Sequence, residues 1–592
     1  MAMEPGRHWS GPPQGPRALR PPGARLRRWG PYLIAAILVV GTLLDIPSYL
    51  QKWLWMRQLG FLEIFWTLLT VQWGMFLLGF VFAFLFFWSN VRQALHTSVL
   101  QRRGFMPNQD YGGPWNAAAP GRSPTDLSSG LAWLRLTELA ASALVAWAFA
   151  LAFSSNWDTY LRFRYGGAYG LADPLFGVDI GFYLFHLPFY ELEQHFLGYL
   201  TFITLAAVVS VYAIAASAQA AGGRMPDITR GAIRHCSALL FVLVAVVGWH
   251  FYLDRYNLVY STLGVVYGAG YTADHVTRFA LTFMLGVSIV SCALLVVNFF
   301  RPQVRAILTG AIAYIALYLL SVLLLPAVFQ SYVVQPNELA LETPYLKRYI
   351  SLTRKAYGLD QVRQTSYPAL ADLTPQAIAR NQDTIDNIRL WDDRPLLQTY
   401  DQTQAIRLYY HFYHVDTDRY RLADGYHQVM LGTRELSQQL PAKARTWVNE
   451  RLQFTHGYGI VMNFVSRTAG GGVPQYTLDN IPAQSAFGLH LTRPEIYYGK
   501  SMQGYRIVAS KVKEFDYPKG SHNVYAHYAG TGGIPLDSFW KKVLFAWTQG
   551  DLNILLTSYL GPESRIQIWR RVRERVTKVA PFLRFDQDPY PV

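Results

Sequence analysis

The stretch FWTLLTVQWGMFLLGFVFAFLFFW, from Phe65 to Trp88, decides how the rest of the sequence is read. It holds no charged residue, and roughly 20 apolar residues are enough to cross a hydrocarbon core about 30 Å thick. Six further apolar stretches precede residue 330, at about Pro31–Leu50, Leu136–Phe153, Leu197–Ala218, Cys236–Leu253, Phe279–Phe300 and Ala306–Phe329. Those from Leu197, Phe279 and Ala306 are also free of charge. The stretch from Leu136 carries Glu138 near its start, and the one from Cys236 is short. Both are read as spans, because soluble core helices rarely alternate with charge-free stretches of this length.

Composition agrees. The 592 residues include 15% charged side chains, against about 25% in soluble proteins, and 15% aromatic ones. Disorder, collagen and coiled coil are excluded, and two cysteines exclude a disulfide-stapled scaffold. The net charge of +15 suits either a nucleic-acid partner or a membrane protein with basic cytoplasmic loops, and the placement of the charges separates the two. With the N-terminus cytoplasmic, the inside segments carry 15 Lys and Arg, among them Arg7, Arg28, Arg92, Arg103, Arg224, Arg234, Arg301 and Arg305. The outside loops carry five: Lys52, Arg57, Arg162, Arg164 and Arg255. This is the positive-inside pattern. It predicts a lipid bilayer and no nucleic acid as partner, and places everything after Phe329 outside the cytoplasm. The long basic tail and the absence of a small-residue cleavage site make the first stretch an anchor rather than a signal peptide.

Two outside loops are rich in aromatics. Ser154–Phe196 contains Trp157, Tyr160, Phe163, Tyr165, Tyr169, Phe176, Tyr183 and Tyr190, and Asp254–Thr277 contains Tyr256, Tyr260, Tyr267 and Tyr271. Such side chains favour the headgroup level. The loops either fold back onto the outer interface or pack under the exported half. Ionisable groups inside the spans are few: Asp45 and His250 sit near outer ends, and Arg135 and Glu138 read as a self-paired couple. No carboxylate falls near a midplane, and no pair of Gly/Pro-broken spans stands out, which disfavours a transporter. Cys236 and Cys292 read as small packed residues.

Residues 330–592 are normally charged, with 31 Lys+Arg and 24 Asp+Glu, and have no 20-residue apolar run. They predict a soluble α+β domain. Helices are expected at Pro344–Tyr357, from Thr374 to about Leu390, and over Leu536–Leu560 with a break at Gly550; strands at Ile406–Leu422, His427–Thr433, Tyr458–Ser466 and Tyr505–Phe515. Arg565–Val579 reads as an amphipathic basic helix, suited to anionic lipid or to a solvated charged face.

Catalytic signals are weak. No G-x-S-x-G or H-E-x-x-H occurs. Gly499-Lys500-Ser501 lacks the rest of a phosphate loop, and Gly268, Gly270 and Ala273 match a dinucleotide fingerprint only loosely. Asp416 and Asp418 alternate on a strand, so both carboxylates can face a hard cation, while Arg419 and Arg421 offer simpler partners. His456, in His456-Gly457-Tyr458-Gly459, is a candidate for metal or acid/base work, or part of a turn that needs glycine. No cofactor is expected.

Longer motifs carry a resemblance. They include Asp173-Pro174-Leu175-Phe176-Gly177-Val178-Asp179-Ile180, Thr446-Trp447-Val448-Asn449, Thr455-His456-Gly457-Tyr458-Gly459, Arg493-Pro494-Glu495-Ile496-Tyr497-Tyr498-Gly499, Glu514-Phe515-Asp516-Tyr517-Pro518 and Gly550-Asp551-Leu552-Asn553. From about residue 30 onward the chain resembles uncharacterised protein family 0182 of bacterial multi-pass membrane proteins. The resemblance implies a bacterial plasma-membrane location and no particular activity. Because family members generally continue past Asp588-Pro589-Tyr590-Pro591-Val592, it also implies an exported domain truncated at its C-terminus.

The expected architecture is therefore a basic cytoplasmic tail (1–30), an α-helical membrane bundle of seven spans (31–329) and an exported soluble α+β domain (330–592). The expected role is binding or scaffolding of envelope lipid, glycan or protein. The alternatives are a membrane-anchored envelope enzyme on lipid-linked or cell-wall substrate, with Asp416, Asp418 and His456 as its candidates, and a transporter. Oligomeric state is not legible.

Overall fold

A computed structural model describes residues 44–104, 124–221 and 229–586, apart from 368, 370–372, 423–424, 438–439, 441 and 486. The first expected span lies mostly outside the described residues; its end, 44–50, begins a helix, α1 (44–59). Among the described residues six helical stretches are long and apolar enough to cross a membrane: Leu62–Ser98, Arg135–Ser154, Phe182–Ser217, Arg230–Tyr260, Ala273–Phe300 and Val304–Ala356. Over the described residues the chain forms two compact units. One comprises Thr70–Val362, and the other joins Leu43–Leu69 to Arg363–Val592.

The first unit is helical. It contains α2 (Leu62–Gly104) from Thr70 onward, α3 (Pro124–Ser154), α4 (Trp157–Tyr165), α5 (Leu187–Ala221), α6 (Arg230–Asn257), α7 (Arg278–Phe300), α8 (Val304–Tyr318), α9 (Leu325–Phe329) and α10 (Glu338–Ala356). Long apolar helices suit lipid because they satisfy their own backbone. Their hydroxyls follow the same rule: those of Ser142, Thr204, Ser237 and Ser288 donate to the carbonyl one turn back at 2.7–2.8 Å. Between helices, buried His235 of α6 meets Tyr212 of α5 and Asn90 of α2, each at 3.0 Å, and Asn298 of α7 donates to Ser237 at 2.9 Å. Such bonds contribute about 0.6 kcal/mol each on average in membranes. The expected Arg135–Glu138 couple does not close; Glu138 is buried with its Oε1 unpartnered among the described residues.

The last helical run does not stop at Phe329, where the hydropathy falls. It continues to Ala356, taking in Pro326 and Pro336 through π-helical turns at Leu319–Leu324 and Gln330–Val334 and a 3-10 turn at Gln335–Asn337. It ends where Gly358 takes a left-handed φ of +64°.

The second unit is mixed. After α11 (Pro375–Arg380, capped by the Thr374 hydroxyl), α12 (Gln382–Ile385) and α13 (Asp393–Gln404), an antiparallel sheet runs β1 (Tyr410–Phe412), β3 (Gly425–Leu436), β5 (Ile460–Thr468), β6 (Pro474–Leu478), with β2 (Asp416–Leu422) also on β3. Strand β3 is buried on both faces, which is why its residues do not alternate. Smaller sheets pair β4 (Gly457–Tyr458) with β7 (Glu495–Ile496) and β9 (Glu514–Lys519) with β10 (His522–Ala526). A third sheet orders β11 (Ile534–Pro535), β12 (Arg565–Gln567) and β8 (Arg506–Val508). Helices α14 (Phe539–Gln549), α15 (Asn553–Leu556) and α16 (Val572–Val579) complete it.

The largest core of this unit joins distant segments. Leu54, Trp55, Met56 and Phe65 pack with Tyr505, Ile507, Phe545, Ile566 and Ile568. Trp55 is 2% exposed and meets Trp569 edge-on at 4.6 Å. The expected basic helix over Arg565–Val579 is corrected here. Arg565–Gln567 is a strand, Trp569 has φ +48°, Arg570 is buried, and only Val572–Val579 is helical. Pairing of β12 with β8 and β11 overrides the helical periodicity.

Candidate functional site

Within the first unit, two carboxylates organise the loop ahead of α5. Asp179 accepts amide hydrogens from Tyr169, Gly170 and Gly181 at 2.7–2.8 Å, which hold it below the usual carboxylate range, Tyr169's first. Asp173 accepts those of Leu175, Phe176 and Val178, and the Tyr183 hydroxyl at 2.8 Å. Both belong to the Asp173–Ile180 motif, so its role here is to set a loop. The second aromatic loop is fixed from α10. Glu342, 2% exposed, accepts the Tyr271 amide at 3.0 Å. Gly270 is needed there, since a Cβ would lie 2.8 Å from the Glu342 carboxylate. Tyr345 donates to Asp274 at 2.9 Å.

These two loops and α10 enclose a cleft of about 850 Å³. Tyr169, Tyr260, Tyr267, Tyr345, Tyr349 and Tyr357 line it, with Arg348 and Lys355 two turns apart on one face of α10 and the carboxylates of Asp173 and Asp360 also on its wall. Tyr169, Tyr267 and Tyr357 are 59–79% exposed. Tyrosines open to a cleft beside two cations form a surface that takes flat rings or apolar chains alongside anionic groups. Sequence reading singled out the aromatic loops but not Arg348 or Lys355; only the helical spacing of α10 could have placed the two together.

In the second unit, His456 is fully buried between two carboxylates. Its Nδ1 lies 3.5 Å from Glu514 and its Nε2 3.5 Å from Asp516. Glu514 and Asp516 alternate on β9 and so share a face. The Thr455 hydroxyl donates to Glu514 and therefore accepts from His456 Nδ1, at 2.9 Å. Tyr497 also donates to Glu514, at 2.9 Å. Burial opposes protonation of His456, but the negative charges of Asp516 and Glu514 beside it outweigh that cost, and its pKa rises. Arg570 lies alongside, donating to the carbonyls of Tyr497 and Thr455, with burial pulling its guanidinium down to about 10. Five of the motifs behind the family resemblance thus meet in buried or part-buried polar contacts. Three are joined here through Thr455, Tyr497 and Glu514; the other two meet through Asp551, which accepts from the Trp447 indole at 2.9 Å.

Asp416 is elsewhere. Its carboxylate takes Lys500 Nζ at 2.8 and 3.0 Å. The amides of Lys500 and Ser501 wrap Glu435 at 2.7 and 2.9 Å, so the Gly499-Lys500-Ser501 turn holds a carboxylate of its own chain. Asp418 accepts the Arg419 amide. Among the described residues no three His, Cys, Asp or Glu side chains are grouped to hold a metal ion.

The chain matches the Uncharacterised protein family (UPF0182) over residues 29–592. It is similar to a UPF0182 protein of Salinibacter ruber, 41% identical over 94% of this chain and 58% of the relative. A UPF0182 protein of Bradyrhizobium diazoefficiens is also 41% identical, over 94% and 60%. One from Desulforamulus reducens is 38% identical, over 91% and 58%. The chain thus spans about three fifths of the length of these curated relatives. No solved structure matches.

Proposed function

Because the chain belongs to uncharacterised protein family UPF0182, whose name assigns no activity, we propose its role from the cleft: an integral protein of the bacterial plasma membrane that binds a lipid or lipid-linked glycan of the cell envelope. The observation that carries this is the tyrosine-lined cleft with Arg348 and Lys355, built where the apolar helices give way to aromatic loops. Rings with polar tips favour the headgroup level, and the two cations suit a phosphate or carboxylate there.

The same reading takes seven spans, a cytoplasmic N-terminus and an extracytoplasmic second unit. The excess of Lys and Arg in the predicted inside segments supports it. So does the make-up of that unit, whose two pieces flank six candidate spans. An even number of crossings returns the chain to the side it left, as one folded unit requires. Exposed Leu44, Ile46 and Leu50 at the start of α1 suit the end of a further span upstream.

The test is native mass spectrometry of the full chain taken from its own membrane into nanodiscs. A defined amphiphile retained at fixed stoichiometry is expected, and Tyr349→Ala with Arg348→Ala should release it. A mass carrying only bulk lipid, alike in wild type and variant, would remove the binding role.

A further inference from the structure

A second hollow in the helical unit, about 650 Å³, has a different character. One wall is α2, whose lining residues run from Thr70 to Phe82, about 18 Å at a rise of ~1.5 Å per residue. That is a little over half of a hydrocarbon core of ~30 Å, the depth of one leaflet. The facing wall is aromatic: Phe153 of α3 lies 5.0 Å from Phe196 and Tyr160 of α4 5.9 Å from Phe189, while Phe82 of α2 meets Phe196 at 6.2 Å. Gly74 keeps the groove open, since a Cβ there would meet nothing within 4 Å.

One charged side chain lines this apolar groove. Glu193 shares a face of α5 with Phe189, Phe196 and Leu197, and makes no hydrogen bond or ion pair with any described residue. The ion pair on α4, Arg162–Asp158, is closed on itself at 2.7 Å and lines no part of the groove. An ionisable group in a candidate span needs a partner, because hydrocarbon leaves it unsolvated. No described residue supplies one. Charge complementarity therefore selects the occupant: a cation borne on something that also fills an apolar channel one leaflet deep.

We propose that this groove binds one hydrocarbon chain of a membrane amphiphile with an ammonium head group, the chain lying along α2 and the ammonium on the Glu193 carboxylate. The site is separate from the tyrosine cleft, which shares none of its lining residues, and does not depend on that reading.

Three probes of equal chain length test it on the full chain in dodecyl maltoside: hexadecylamine, hexadecanol and palmitate, read by native mass spectrometry at rising concentration. One equivalent of the amine is expected, bound about tenfold or more tighter than the alcohol, the scale of a half-buried ion pair, with palmitate weakest. Glu193→Gln, of equal size, should bring the amine to the level of the alcohol. Gly74→Leu, which fills the groove and is favoured over glycine in a helix, should weaken amine and alcohol alike by tenfold or more while the unfolding temperature holds. Equal binding of all three probes by the wild type would overturn the proposal. So would an amine preference that survives Glu193→Gln, or amine binding unaffected by Gly74→Leu.

Discussion

Replacing Trp55 by alanine should unfold the second unit about as readily as the loss of a large side chain from the centre of a globular core. Trp55 is 2% exposed, meets Trp569 edge-on at 4.6 Å, and lies under the Arg575 guanidinium at 5.4 Å. Truncation of a buried Trp costs about 3–5 kcal/mol, of which the edge-on ring contact accounts for roughly 0.5–1.5. For a unit of this size each kcal/mol lowers the melting temperature by roughly 2–4 °C, so the expected fall is roughly 6–20 °C. The assay is thermal unfolding of the full chain in detergent, with Phe539→Ala, 75% exposed in the same unit, as reference. A Trp55→Ala transition within two or three degrees of the reference would refute the reasoning, because it would mean that α1 does not belong to the core of the C-terminal sheet domain.

Other predictions follow from single contacts. Gly457→Ala should cost more than about 3 kcal/mol, since its Cβ would fall 2.2 Å from the Arg434 carbonyl oxygen, whereas Gly470→Ala, which meets nothing within 4 Å, should stay within about 0.5 kcal/mol of wild type; equal melting temperatures would contradict this. Breaking the Asp416–Lys500 pair by Lys500→Met should cost about 3–5 kcal/mol, with much recovered in the double variant Asp416→Leu/Lys500→Met; a double variant no more stable than the single one would show that the pair is not what holds β2 to this turn. His456, whose folded pKa is raised, stabilises fully at pH below its unfolded value of about 6.5, and that contribution is lost as pH climbs through the raised value. Melting temperature should therefore fall with rising pH more steeply in the wild type than in His456→Gln, and parallel profiles would discard the assignment.

Sequence and structure agree where the signal is local. Phe65–Trp88 needs no partner to be recognised, and the same holds for Gly358 as a stop and Thr374 as a cap. Disagreement arises where a long-range pairing decides. Ile566 and Ile568 fit the apolar stripe of a helix through Val579, yet β8 pairs with Arg565–Gln567 first. The hydropathy drop after Phe329 reads as the end of a helix, but a fall in hydropathy marks a change of surroundings and not of backbone, and no glycine intervenes before Gly358. For the candidate sites, alternation on β9 could place Glu514 and Asp516 on one face, but nothing in a linear pattern points from them to His456. Glu193 is not legible as a span residue because the aromatic stretch reads as a loop as far as Phe196, while the helix begins at Leu187.

The two-piece make-up of the second unit has a consequence for biosynthesis. Trp55 leaves the ribosome some five hundred residues before Ile566 and Trp569, the groups that cover it. At ~5–20 residues per second this interval is roughly 25–100 s, during which all six candidate spans are also made. Throughout it, Leu54, Trp55 and Met56 have no folded surface to rest against, so maturation of this protein contains an obligatory waiting state that chaperones or the bilayer surface must shelter from aggregation and proteolysis.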